Sequence, residues 1–180
     1  MIRSRKEHPM RRLSLAALFW VSLAASSGAL AQEHDVVLSV EGWPKMGTRA
    51  DGKVKAQYVG FRTVAATPTE KSTVRDFSFN LPLGDAAALF MKHALEGRVL
   101  KTVLAEAFTA GTVKPPARAP FAVRLYDVRV TYVNMNVEYG IAVVELQASK
   151  VEVFTAKQTA TGAMQPGQQF GWDIRAGKGM

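Results

Sequence analysis

Two long apolar runs, residues 121–133 and 142–156, each change the phase of their alternation midway, and no other feature of the chain restricts its fold as much. In the first run the apolar set moves from odd positions (Phe121, Val123, Leu125) to even ones (Tyr126, Val128, Val130, Tyr132). In the second it moves from even (Val144, Leu146, Ala148) to odd (Val151, Val153). Successive side chains of a strand point to opposite faces, so a slip of one residue sends every later side chain to the other side. Such a switch needs a bulge, or a strand that passes between two environments. Long, bent, paired strands build barrels. A polar stretch, residues 134–140, joins the two runs as a turn.

The remainder of the chain supplies parts of the same kind. Residues 35–40 read as a short strand, followed by a loop over 41–47 in which Pro44 and two glycines interrupt any ladder. Asp51-Gly52 suits a turn with positive φ, and residues 53–66 resume β-rich sequence with Val54, Tyr58, Val59, Phe61 and Val64. In 72–81, Phe77, Phe79 and Leu81 fall on one side and Asp76, Ser78 and Asn80 on the other, the pattern of a half-buried strand. Asp85 is placed to cap a helix over 86–96 with Leu89, Phe90, His93 and Ala94 on one face, and Gly97 is placed to end it. Residues 98–108 fit a helix through Leu100, Leu104 and Phe108 or a strand through Val99, Thr102 and Val103. With Gly97 having just ended a helix, the strand is preferred. Residues 162–167 are expected to turn into a last strand, 168–175, whose Phe170, Trp172 and Ile174 share a face. The expected fold is mainly β: a closed antiparallel β-barrel of two sheets with one short flanking α-helix, in a single domain over 32–180.

Residues 1–31 read as an export signal. Arg3, Arg5, Lys6, Arg11 and Arg12 make a basic start, residues 13–25 an apolar run, and Ala29 and Ala31 the small-residue pattern before a cut between Ala31 and Gln32. The apolar run of about 13 residues is shorter than the roughly 20 a membrane-crossing helix needs. Translation from Met10 would leave a shorter signal of the same design as translation from Met1. The segment holds five of the 23 basic and one of the 15 acidic residues, so the net charge falls from +8 to +4 once it is removed. The remaining charges are scattered and form no basic stripe for a phosphate backbone, so no nucleic-acid partner is expected, nor a membrane once the signal is gone. The protein is expected to be exported, to the periplasm or the medium. Lacking cysteine, it has neither disulfides nor thiolate metal sites and depends on its core alone.

Reactive groups are sparse. Beyond the leader only His34 and His93 remain, which is too few for a paired-histidine metal site or a serine-histidine relay. Residues 162–167 lack the Lys-Ser/Thr of a phosphate loop. Asp76 and Asp173 are carboxylates that nothing in the sequence brings together. The expectation is a protein that is not an enzyme, with no catalytic, cofactor-binding or metal-binding residue.

The succession of an Asp76-Phe-Ser-Phe79 strand, a short helix, a strand, a long hairpin and a terminal Phe170-Gly-Trp-Asp-Ile174 resembles the haemolysin co-regulated protein (Hcp) family, the tube-forming component of type VI secretion systems. The resemblance covers most of 35–175 and is sharpest at the C-terminal motif. Val36-Val-Leu-Ser-Val-Glu-Gly42 sits where the family has its opening strand and glycine, while Tyr58 and Phe61 stand where it usually has a tryptophan-rich strand. The resemblance implies a non-catalytic subunit that forms hexameric rings, which stack into a tube carrying effectors, with itself, effectors or a spike protein as partners. It also implies ring contacts in the loop carrying Trp43, Pro44, Lys45 and Met46, to which Trp172 is added as a core or subunit-contact residue. The cleavable signal departs from the family, whose tube proteins usually lack one, and it keeps open an exported, monomeric β-barrel binding module with no tube role.

Overall fold

The computed structural model describes residues 34–45, 52–64, 73–109, 119–161 and 163–180. The expected leader, its Ala31/Gln32 junction and Met46 lie outside the described residues. Ten strands and one helix follow in the order β1 (His34–Val40), β2 (Val54–Ala56), β3 (Tyr58–Val64), β4 (Thr73–Pro82), α1 (Asp85–Glu96), β5 (Val99–Thr109), β6 (Phe121–Asn136), β7 (Ile141–Gln147), β8 (Lys150–Gln158), β9 (Met164–Asp173) and β10 (Lys178–Gly179). The ambiguous segment after Gly97 is indeed a strand.

Every ladder among the described strands is antiparallel, and β6 is where two branches of the sheet meet. Its first half, Phe121 to Tyr126, pairs with β8; its second half, Arg129 to Asn136, pairs with β7. The hydrogen-bonded path β10-β9-β8-β6-β5-β1-β2 and the branch β3-β4-β7, which joins it at the far half of β6, make one ten-stranded sheet. Asp127 stands between the two halves with φ 48°. Val123 and Leu125 are buried before it and Val128 after it, so the phase switch read from the sequence lies at this residue. The facing run breaks at the same level, where Ser149 separates β7 from β8 and is only 4% exposed. Its backbone N–H donates to the Tyr126 carbonyl at 2.9 Å. Its hydroxyl lies 2.7 Å from Asp127 Oδ2 and 3.1 Å from the Tyr126 carbonyl oxygen, one donor shared between two acceptors.

Three expectations are corrected. The register of β6 on β7 shifts again between Val130 and Tyr132, so Val133 packs against the core while Tyr132 is exposed; a second bulge overrides the alternation that put Tyr132 inward. The ladder does not close into a sealed ring. β2 pairs with β1 and β3 with β4, and between them Gln57 donates its N–H to the Asn80 carbonyl at 2.9 Å, so the two branches meet there through the chain and not through a shared ladder. The C-terminal motif is an outer arm: β9 pairs with β8 and with the two-residue β10. The last long strand also begins earlier than expected, at Met164, and Thr159 N–H is bonded to the Ala163 carbonyl at 2.8 Å.

Phe77, Phe79 and Leu81 of β4 are buried as their alternation requires, with Val103 of β5, Val123, Leu125 and Val128 of β6, Val144 and Leu146 of β7 and Phe90 of α1 in one cluster. The helix packs on β6, β4 and β7. Its N-cap is Gly84 without a side-chain cap, and Asp85 is instead a first-turn carboxylate where the helix dipole favours negative charge. Gly97 ends it in the left-handed conformation, φ 62°, with its N–H on the Ala94 carbonyl.

A left-handed residue with a side chain costs about 1–2 kcal/mol relative to the right-handed form, and losing a hydrogen bond to a charged group costs about 1.5–3 kcal/mol. Asp127→Ala is therefore expected to lower the urea midpoint more than Asp127→Gly, which removes the bond to Ser149 but relieves the backbone. Equal midpoints for both variants and the parent would show that Asp127 does not hold the bend. Phe90→Ala should cost about 3–5 kcal/mol in the same assay, as a large buried ring is removed.

Candidate functional site

With reactive groups sparse, the surfaces through which this fold meets partners are the candidate site. The loop after β1 is built on a fixed base. Glu41 N–H donates to the Thr102 carbonyl at 3.0 Å, and the Glu41 carboxylate pairs with Lys101. Hydrogen bonds from Lys101 and Thr102 hold the Glu41 carboxyl below the usual carboxylate range, and the same pairing raises Lys101. Gly42 then turns with φ 82°, and Trp43 N–H returns to the Val40 carbonyl at 3.2 Å.

That turn lays the Trp43 indole on α1. Its ring meets Phe90 edge-on with centroids 4.6 Å apart, and Phe90 in turn meets Phe79 of β4 at 5.3 Å. The imidazole of His93 also lies 5.3 Å from the indole. Half-buried Trp43 thus extends an aromatic column from the core to the surface, and Pro44 and Lys45 stand exposed beyond it. A cavity of about 180 Å³ lies beneath, lined by Leu38, Val40, Trp43, Pro44, Lys53 and Phe90.

His93 is pushed below the ordinary histidine range, first by burial and then by the Arg98 and Lys92 cations, with Glu96 opposing. Its Nδ1 is buried and has no hydrogen-bond partner among the described residues.

Trp172 is on a separate element. On β9 it faces Val151 across the β8 ladder and packs, with Ile174, against the main core, and its Nε1 is buried without a partner among the described residues. Phe170, expected on the same face, is 52% exposed. Asp76 sits at a bend of β4 with φ 47°. Asp173 accepts the Ala176 N–H at 2.8 Å in the final turn. Neither is joined to the other by any described contact, and no group of three or more His, Asp or Glu gathers among the described residues. No described helix is long and apolar enough to cross a membrane.

Sequence reading missed two apolar surfaces. Val137 and Tyr139, in the turn between β6 and β7, are 81% and 70% exposed. An apolar pair inside a segment read as a turn was the available signal, because a tight turn leaves such side chains nowhere to bury. The other is a cleft of about 300 Å³ where Val36, Val59, Phe61, Ala105 and Phe121 face one another. Those residues are far apart in sequence, so nothing local announced it.

No protein-family model and no curated protein matches the sequence. Among solved structures, a type six secretion system protein matches with a TM-score of 0.69 at 13% identity, covering 82% of this chain and 100% of that one. Hcp1 from Salmonella typhimurium matches at 0.64 with 16% identity, covering 82% and 99%. A type VI secretion system effector from Yersinia pestis matches at 0.59 with 14% identity, covering 78% and 100%. The described residues have the Hcp fold: mainly antiparallel β, with one helix.

A group whose native proton affinity is depressed stabilises the fold above its unfolded pKa and loses that contribution as pH falls through the native value. For His93 the contribution is full above about pH 6.5 and disappears below it. The melting temperature should therefore fall on acidification from about pH 7.5 to pH 5, and His93→Gln should reduce that fall. An identical decline in both proteins would remove His93 as its source.

Proposed function

We propose that the chain is a structural, non-catalytic Hcp-like subunit, exported after cleavage between Ala31 and Gln32, that assembles with copies of itself into hexameric rings. The rings stack into a tube that carries or chaperones type VI effectors. The observation that carries this reading is the coverage of nearly the whole of the Hcp structures by this chain. Identical subunits associating head to tail close into a ring when the rotation permits. Trp43, Pro44, Lys45 and Met46 are the proposed ring contacts, and Trp172 is proposed as a core or subunit-contact residue.

The export signal favours a second reading, in which the same fold serves as a monomeric binding module outside the cytoplasm. Light scattering on residues 32–180 at high micromolar concentration separates the two. A hexamer mass is expected, and a monomer throughout would remove the ring. Trp43→Ala is expected to leave ring mass unchanged but weaken stacking seen by electron microscopy; unaltered stacking would take the loop out of the contact. N-terminal sequencing of protein recovered from periplasm and medium should begin at Gln32, whereas an intact chain confined to the cytoplasm would overturn export.

A further inference from the structure

Two apolar surfaces remain exposed at opposite ends of β6. At its far end the hairpin with β7 closes through residues 137–140, where the Val137 and Tyr139 side chains stand in solvent. That turn is fixed from within and from its base. Tyr139 N–H donates to Asn136 Oδ1 at 3.1 Å, Gly140 N–H to the Val137 carbonyl at 3.3 Å, and the Gly140 carbonyl accepts the Leu83 N–H at 3.0 Å. A turn held in this way loses little freedom when it binds.

At the near end of β6 is the apolar cleft. Ladder pairing sets Ala107 between Val36 and Phe121, and Ala105 between Leu38 and Val123, so two short side chains of β5 are flanked by longer ones. Val59 and Phe61 of β3 complete the lining of this hollow of about 300 Å³. Both Phe61 and Phe121 are exposed.

The lining carries no polar side chain to orient a polar ligand, and the volume is at the lower limit of the roughly 300–1,000 Å³ typical of small-molecule sites. One or two apolar side chains suit it, and the hairpin tip offers such a pair. A copy cannot fill its own cleft, because a strand of 16 residues sets tip and cleft on the order of 40 Å apart.

We propose that Val137 and Tyr139 of one copy insert into the cleft of the next, a head-to-tail contact between the far end of one β6 and the near end of another. The Tyr139 ring meets Phe61 and Phe121, with its hydroxyl left at the mouth in water, as aromatic anchors do at the centre of an interface. The proposal rests on the reading that copies of this chain assemble, and it names a contact separate from the Trp43 loop. A tyrosine buries about 150–250 Å², well below the roughly 1,000 Å² of an interface that holds alone. A single insertion is therefore weak, and the contact becomes firm where several act together, as between stacked rings.

Because the chain has no cysteine, an introduced pair reports on this contact alone. Val137→Cys and Ala107→Cys are prepared separately and oxidised singly and as a mixture, with the products identified by mass spectrometry. A disulfide between residues 137 and 107 of different chains, formed only in the mixture, is the expected result. Its absence, or equal cross-linking of either variant alone, would overturn the head-to-tail contact. Val137→Ser with Tyr139→Ser, which changes exposed side chains only, should weaken association about tenfold with unchanged circular dichroism; unchanged association would also overturn it. An apolar small molecule retained by the parent in native mass spectra and lost from Ala107→Phe would assign the cleft to a ligand instead. Light scattering on the same samples separates this contact from the ring: the mixed disulfide without a hexamer mass removes only the ring, and a hexamer without the disulfide removes only the contact.

Discussion

The bend of β6 at Asp127 is the constraint on which the rest of the structure depends. A strand of 16 residues is long enough to serve two branches of the sheet only if its inward face changes partway. Asp127 makes that change by entering the left-handed region, which short polar side chains tolerate better than apolar ones. Ser149, in the facing break between β7 and β8, accounts for the buried polar groups the bend creates: it bonds the Tyr126 carbonyl and the Asp127 carboxylate, and its own carbonyl accepts the Ile174 N–H at 2.9 Å. One buried serine thereby ties the bend of β6 to the last turn of the chain.

From that bend follows the placement of the surfaces. The first half of β6 carries β8 and the outer arm with Trp172, and the second half carries β7 and, through it, β4. The helix lies over β4, β6 and β7, and Phe90 offers a ring to Phe79 below and to Trp43 above. The loop bearing Trp43 is thus held by aromatic packing against a rigid element, while its outer residues remain free of the core. This is how a chain poor in reactive groups presents a defined surface: apolar edges held by the sheet, with a titratable ring beneath one of them.

Much of this was legible along the chain. Alternation at Phe77, Phe79 and Leu81 marked the buried face of β4, and Gly97 marked the end of the helix and so decided for a strand after it. The two phase switches located a bulge in β6 and the break after β7, because burial and alternation are local consequences of the same backbone geometry. The likeness to Hcp proteins was carried by element order and the C-terminal motif, and the fold agrees with it. Asp85 was misplaced by one position because a glycine at the N-cap needs no side chain to mark it. Tyr132 was misplaced because a bulge at Thr131 depends on what β7 presents, with the Thr131 hydroxyl on the Glu145 carbonyl at 3.1 Å.

What the sequence by itself determined is therefore the β character of the chain, the helix after β4, and the positions where strands must change face, since each depends on residues close to one another. Only the tertiary structure decided that the ladder stops short of a closed ring at Gln57, that the C-terminal motif is an arm, that Trp43 rests on Phe90 beside an unmatched His93, and that Val36, Phe61 and Phe121 share a cleft. Those arrangements join segments tens of residues apart, and the contact energies that select them belong to pairs no local pattern records.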